Sequence, residues 1–187
     1  MSKPGGKRDT IKQQAIRLFA ERGVDAVSVR DIAAACDMTA PNLYAHFASK
    51  DELVRALFHD GYGEYGAILA DAMAGDAPFR VRLDRTMREI CRLHDTDTDR
   101  FRFLVLTQHA TLDTIPHDAR NPVEAMCRAV AAAMDMGEIP RREPDLMALA
   151  IVGILVQPAT GLLYGRLAGG LTERADDLSA MAWRALS

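Results

Sequence analysis

The segment SVRDIAAACDMTAPNLYAHFASKDEL, residues 28–53, contains two capping signals of the same type. Ser28 is followed three positions later by Asp31, and Ser49 is followed three positions later by Glu52. In this spacing the serine oxygen and the carboxylate each accept a backbone N–H at the start of a helix. The segment therefore predicts one helix from Ser28 and a long helix from Ser49.

A third, very short helix is predicted between these two. Thr39 is a residue type that caps helices, and Pro41 falls in the first turn, where a missing N–H costs nothing. Leu43 and Phe47 are four positions apart and share one helical face, so we expect them to point inward. The polar residues between them then point outward.

The residues before this segment, TIKQQAIRLFAERG at 10–23, predict a first helix. Ile11, Leu18 and Phe19 share one face, and Gly23 is a good C-terminal signal. A helix followed by two helices joined by the tight turn CDMTA is the arrangement of a helix-turn-helix unit. In such a unit the second helix of the pair enters the DNA major groove. We therefore expect the short helix to contact DNA.

The outward side chains have chemistry that suits DNA. The Asn42 amide can pair with adenine, the Tyr44 hydroxyl can reach a phosphate, and Lys50 adds its charge to the N-terminal dipole of the long helix. Each has an ordinary alternative: Tyr44 as a core aromatic with its hydroxyl at the surface, Asn42 and Thr39 in local hydrogen bonds, and His46 in packing. The candidate DNA-binding residues are Arg30, Thr39, Ala40, Asn42, Tyr44, His46 and Lys50.

The segment closely resembles the DNA-binding signature of the TetR family of transcriptional regulators. The resemblance rests on the Ser-initiated helix, the LY-x-HF core and the SK-[DE]-x-L opening of the long helix, and it covers roughly residues 8–57. Pro41 departs from the family pattern, which often has glycine there, but it is compatible with the same short helix. The resemblance implies a helix-turn-helix DNA-binding domain at 1–48 and an effector-binding and dimerisation domain at 49–187.

The later part of the chain shows apolar stripes at helical spacing and no strand alternation, so an all-α fold of about nine helices is predicted. The loop TIPHDARNP, at 114–122, interrupts the stripes. Polar and adaptable side chains on these stripes suggest an apolar cavity with a few convergent polar groups. The alternative is that each polar one is a satisfied core group. The candidate ligand-binding residues are Met87, Cys91, His94, Phe103, Gln108, His109, Met126, Met147 and Gln157.

The stretch at 146–165 contains no charged residue and is long enough to span a bilayer. Its interior holds Gln157, Pro158 and Thr160, and it lacks a strongly basic flank. We therefore favour a helix buried in a core or a subunit interface over a membrane span. The resemblance implies that the last two helices form a homodimer interface, which would present two recognition helices to a palindromic operator.

The net charge of −3 argues against non-specific nucleic-acid binding by the whole chain. Residues 1–55 are the more basic part, with nine Lys or Arg against seven Asp or Glu, and Lys3, Lys7 and Arg8 are expected to form a flexible arm. The three cysteines lack metal-type spacing, which suits a reducing cytoplasm. No apolar export signal follows the N-terminus. No metal, cofactor or catalytic constellation is predicted.

We therefore expect a repressor that a small hydrophobic or amphipathic effector releases from its operator. The effector must bind the DNA-incompetent state more tightly, because equal affinity for both states shifts nothing. An alternative is a DNA-binding regulator whose second domain binds a protein partner. An enzyme with an appended DNA-binding head is a third hypothesis, with no catalytic group to support it.

Overall fold

The computed structural model describes residues 6–111 and 121–187, without the side chains of residues 109 and 110. All regular secondary structure in these residues is helical, as predicted, and most of the predicted loop at 114–122 lies outside them. The helices are α1 (Lys7–Arg22), α2 (Val29–Ala35), α3 (Ala40–Tyr44), α4 (Lys50–Ala72), α5 (Phe79–Thr96), α6 (Thr98–Thr111), α7 (Pro122–Asp135), α8 (Pro144–Leu163) and α9 (Ala175–Leu186), and a 3-10 turn at Thr172–Arg174 precedes α9.

The chain divides into two compact units. The first, called the head, comprises the described residues of Met1–Gly61 and Asp99–Ile115. The second, called the body, comprises the described residues of Tyr62–Thr98 and Pro116–Ser187. The domain boundary predicted between residues 48 and 49 falls just before α4 and stays a prediction.

In the head, α2 packs against both α1 and α3. Ser28 and Asp31 form the predicted capping box, with each side chain accepting the backbone N–H of the other residue. The second capping signal forms differently: Glu52 donates its N–H to Ser49 Oγ, but its carboxylate accepts the N–H of Ala48 at 2.6 Å. One local sequence rule thus holds in full at α2 and in part at α4.

One sequence expectation about the head is wrong, and another holds only in part. Lys7 and Arg8 do not belong to a flexible arm, because α1 already begins at Lys7 and Arg8 is bound to the segment after α3. Thr39 stands at the N-terminal boundary of α3, but within the described residues its side chain makes no capping hydrogen bond. The start of α3 is therefore held by packing and by the preceding turn rather than by this hydroxyl.

In the body, α8 packs against α7 and α9, and α9 packs against α5. Two arginines of α5 bind carbonyl groups at the C-terminal end of α4: Arg82 donates to Met73 at 3.2 Å, and Arg85 donates to Ala72 at 2.9 Å. These contacts satisfy carbonyls that a helix end leaves without intrahelical partners. Helix α4 continues past Gly61, Gly63 and Gly66 to its end at Ala72, so these glycines do not terminate it.

The α8 helix is the one helix among the described residues that is long and apolar enough to cross a membrane, by length and composition. Only 22% of its most apolar 18-residue window is buried in this chain. Its buried side comprises Ala148, Ile151, Leu155 and Ala159. The expected core helix is thus buried along one side only, and its other side leaves apolar surface uncovered on a single chain.

Candidate nucleic-acid interface

The short helix α3 has one buried side and one exposed side. Leu43 and Phe47 are fully buried, as predicted, and hold α3 against the rest of the head. Thr39, Asn42 and Tyr44 are exposed, and half of the Tyr44 surface is accessible. A hydroxyl, an amide and a phenol are therefore available to one partner, which is the arrangement that base and phosphate contacts require.

The other candidate DNA-binding residues lie close to α3 in the chain. Arg30 is exposed on α2, just after its capping residue. Ala40 and His46 are half-buried, at the start of α3 and in the segment that follows it. The small Ala40 allows close approach of a partner, whereas His46 retains both expected roles, packing and phosphate contact.

The turn between α2 and α3 fixes the direction in which α3 leaves. Asp37 adopts a left-handed backbone conformation, with φ of 52°. The N–H of Met38 donates to Ala33 at 3.0 Å, and the N–H of Asp37 donates to Ala34 at 3.2 Å. This is the Schellman pattern, in which a left-handed residue satisfies the last carbonyls of a helix. No glycine marks this turn in the sequence, because the residue in the left-handed conformation is Asp37.

The end of α3 is held by Arg8 of α1, which was not among the candidate site residues. Its guanidinium Nη1 donates to the His46 carbonyl at 2.7 Å, and its Cζ lies 4.1 Å from the centre of the Phe47 ring. A cation over an aromatic face is attracted by the ring quadrupole. Arg8 therefore positions the segment after α3, across 38 residues of sequence.

Lys50 stands at the start of α4, as predicted, but its ammonium already has protein partners. Nζ donates to the carbonyl of Val24 at 3.0 Å and to that of Val27 at 3.1 Å. Because an ammonium has three donors, one remains for a further acceptor. Lys50 thus ties the α1–α2 loop to α4, and its predicted phosphate contact would use the remaining donor.

The candidate ligand-binding residues are distributed over both compact units. In the body, Met87, Cys91 and His94 share the buried side of α5, and Met126 is buried on α7. On α8, Met147 is half-buried. The remaining four do not share one environment: Gln157 is exposed on α8, Phe103 is buried and Gln108 half-buried on α6 of the head, and His109 has an undescribed side chain.

Local chemistry further defines two members of this set. Burial raises the pKa of the Cys91 thiol to about 11, so the thiol is protonated at neutral pH and is a poor nucleophile. His94 Nδ1 lies 2.8 Å from Oδ1 of Asp95. This contact favours the alternative in which His94 is a satisfied core group. No cluster of three or more metal-ligating side chains occurs within the described parts of the chain.

Comparison with known proteins identifies the head. Residues 11–57 match the family described as bacterial regulatory proteins, tetR family. This part of the chain is therefore similar to the DNA-binding region of TetR-family regulators. The HTH-type transcriptional repressor KstR2 of Rhodococcus jostii is 36% identical over 93 residues, which are 48% of this chain and 46% of that repressor. The chain thus spans about half the length of the curated relatives it matches.

Solved structures with the TetR fold cover nearly the whole chain. A bacterial regulatory protein of the tetR family from Rhodococcus RHA1 has a TM-score of 0.81 at 21% identity and covers 98% of each chain. AibR in complex with isovaleryl coenzyme A and operator DNA has a TM-score of 0.74 at 22% identity and covers 94% of this chain and 97% of AibR. At these identities the likeness establishes the fold, and it confirms the all-helical prediction.

Proposed function

We propose that this chain is a homodimeric transcriptional repressor that inserts α3 into the major groove of a palindromic operator. The observation that carries the proposal is the way α3 is held: the Asp37 turn fixes its start, Arg8 fixes its end, and Leu43 anchors its buried side. The exposed side then presents Asn42 and Tyr44 in a defined orientation. Rigid support of this kind lets polar side chains discriminate base edges.

The homodimer is supported by the uncovered side of α8. Leu146 and Leu149 are both exposed there, and a Cβ added at Gly153 would meet nothing within 4 Å. Apolar surface of this extent favours association. A second copy suits it better than a bilayer, because the other side of the same helix packs on α7 and α9. Two copies related by a twofold axis present two α3 helices to two half-sites.

A small hydrophobic or amphipathic effector is proposed to bind in the body and lower operator affinity. The support is the buried, adaptable side of α5 with Met87 and Cys91, together with the fold shared with AibR, which was solved with isovaleryl coenzyme A and operator DNA. The alternative function, a body that binds a protein partner instead, draws on the same uncovered apolar surface of α8. A regulator of this type would act in the cytoplasm, without catalysis and without a cofactor.

The testing experiment is selection of genomic DNA fragments by the purified full-length protein at physiological salt. We expect enrichment of one palindromic site, bound by a dimer. Uniform recovery of unrelated fragments, or loss of all binding at that salt concentration, would contradict the proposal. The complex of protein and selected DNA can then be titrated with those acyl coenzyme A esters and short fatty acids on which the products of the neighbouring genes act. Release of the protein from the operator is the expected result.

A further inference from the structure

A cleft of about 750 Å³ lies entirely within the head. Its walls are the C-terminal end of α1, the loop from Gly23 to Ala26, the first turns of α4, and α6. This volume falls in the range of small-molecule sites, roughly 300–1,000 Å³. Among its lining residues only Phe103 belongs to the candidate ligand-binding set.

The inner part of the cleft is mainly apolar. The rings of Phe19 and Phe103 are stacked with their centres 5.8 Å apart, and both side chains are almost fully buried. Val54 is buried beside them, while Leu106 on α6 also lines the cleft but remains 45% exposed. A leucine that is uncovered next to a buried aromatic pair offers surface that a short alkyl chain can cover.

The rim of the cleft carries both signs of charge in equal number. Arg22 and Arg55 supply two guanidinium groups, and Asp25 and Asp51 supply two carboxylates. All four residues are exposed. A head group with a single charge would meet as many like charges as opposite ones. A head group with one positive and one negative charge finds a partner for each.

We propose that this cleft binds a zwitterionic amphiphile, with its short apolar chain over Leu106 and its head group at the charged rim. The ligand would contact the loop that leads directly into Ser28, the capping residue of α2. Lys50 holds the same loop through the Val24 carbonyl. Binding there changes the mobility of the loop and therefore the operator affinity, a consequence that rests on the proposed DNA-binding function.

The test uses three probes with the same eight-carbon chain and different head groups: octanoylcarnitine, octanoate and octyltrimethylammonium. Binding to the full-length protein is measured by isothermal titration calorimetry without DNA. We expect octanoylcarnitine to bind about tenfold more tightly than either singly charged probe, because only its head group makes two charged contacts. Its carboxylate can accept a hydrogen bond from an arginine, and its trimethylammonium group makes an ionic contact with an aspartate. Equal affinities for the three probes, or no heat with octanoylcarnitine, would overturn the proposal.

Two rim variants test the assignment of the head group. Arg55→Gln leaves the rim one negative charge in excess and should move the preference towards octyltrimethylammonium, whereas Asp51→Asn should move it towards octanoate. Both residues are exposed, so the fold is retained. A purely structural role for the pair would not move the two preferences in opposite directions. Shifts in the same direction, or no shift, would contradict the site.

Leu106→Asp tests the apolar part, with Val81→Asp on α5 as the matched control. Both positions are exposed apolar residues, and Val81 lies outside the cleft. Only the Leu106 variant should lose octanoylcarnitine binding; retained binding in this variant would refute the site.

In a parallel titration of operator DNA, octanoylcarnitine should change the affinity at least about threefold, well above the error of such a titration. Ligand binding without any operator binding would instead refute the proposed function and leave the site intact.

Discussion

Helices α3 and α8 each expose a side to solvent on the single chain, but the two exposed sides have opposite chemistry. On α3 the exposed residues include the amide of Asn42 and the phenol of Tyr44. On α8 they are apolar, with Leu146 and Leu149 each 54% exposed. Water can hydrogen-bond the exposed polar groups of α3. Covering the exposed apolar surface of α8 instead gives a favourable free energy of roughly 25 cal/mol per Å².

This difference teaches which contact is permanent and which is reversible. An apolar surface favours association at all times, so α8 suits a stable interface between copies. A polar surface is hydrogen-bonded by water when DNA is absent, so α3 suits reversible binding. In the proposed function, one chain can thus remain a dimer and still release its operator.

The largest effect is expected from a charge introduced on the exposed apolar side of α8. Leu149→Glu places a charge on the proposed interface and should convert the dimer to a monomer, because a buried unpaired charge costs several kcal/mol. Operator affinity should fall at least about 100-fold, since only one half-site is then bound at a time. Sedimentation velocity and fluorescence anisotropy check the two effects.

The control for this variant is Val81→Glu on α5, an equally exposed apolar position at 53% accessibility against 54% for Leu149. It should leave the mass and the operator affinity unchanged. A Leu149→Glu protein that remains a dimer would place the interface elsewhere in the chain.

A smaller effect is expected from removing polar groups on the exposed side of α3 and at the start of α4. Asn42→Ala should weaken binding to the selected operator by about 1 to 3 kcal/mol and relax base preference at one position, because a bidentate amide contact is lost. Tyr44→Phe and Lys50→Ala should instead weaken binding to all sequences alike, and Lys50→Ala, which removes a positive charge, should also flatten its salt dependence. Anisotropy titrations on the operator and on a scrambled duplex, at several salt concentrations, separate the two classes. Unchanged binding by all three variants would remove α3 from the interface.

A third prediction concerns stability in the body and its dependence on pH. Asp95 accepts the N–H of Leu171 at 2.9 Å and of Thr172 at 2.8 Å, just before α9. Partial burial acts to raise the pKa of Asp95, but hydrogen bonds from Thr172, His94 and Leu171 outweigh it and hold the pKa well below its usual value. Asp95→Ala should therefore lower the free energy of unfolding by about 1 to 2 kcal/mol at pH 7.

The pH dependence of this effect has a defined sign. Because the pKa of Asp95 is lower in the folded chain, its contribution is fully present above the unfolded pKa of about 3.9 and is lost as the pH falls towards the folded pKa. Urea unfolding should show a smaller difference between wild type and Asp95→Ala at pH 3 than at pH 7. Asp95→Asn, which retains one acceptor oxygen, should lie between them at pH 7. A difference that grows on acidification would contradict this account.

The smallest effect is expected at the turn before α3. Asp37 has a positive φ, which glycine adopts without steric cost, so Asp37→Gly should raise the free energy of unfolding by about 0.5 to 1 kcal/mol. Thermal unfolding of this variant and of Asp37→Ala, which keeps the steric cost, checks the sign. Operator affinity should stay unchanged for Asp37→Gly, because the direction of α3 is preserved. A loss of stability with glycine would show that the Asp37 side chain itself holds the turn.

The parts of the head that sequence reasoning predicted correctly depend on neighbouring residues. The capping box of Ser28 and Asp31 forms within four residues, and the burial of Leu43 and Phe47 follows from helical periodicity alone. The missed features join distant segments: Arg8 reaches His46, and Lys50 reaches Val24. Neither contact leaves a periodic signal, because each depends on where two separate elements come to lie.

For the same reason, helical periodicity alone cannot predict which of the candidate ligand-binding residues lie together. Polar residues on apolar stripes mark positions on a helix but not which helices meet. Phe103 and Gln108 lie on α6 of the head, whereas Met87 and His94 lie on α5 of the body. A stripe shows that a side chain is inward-facing, and only the packing shows which core it enters.

By itself the sequence determined the all-helical class, the helix-turn-helix unit and the outward direction of Asn42 and Tyr44, since capping and periodicity act over one or two helical turns. Only the tertiary structure decided that α8 is buried on one side, that Arg8 holds the end of α3, that Lys50 holds the α1–α2 loop, and that the head contains a cleft with a charge-balanced rim. Those features depend on contacts between residues far apart in the chain, whose energies exist only once the helices have packed.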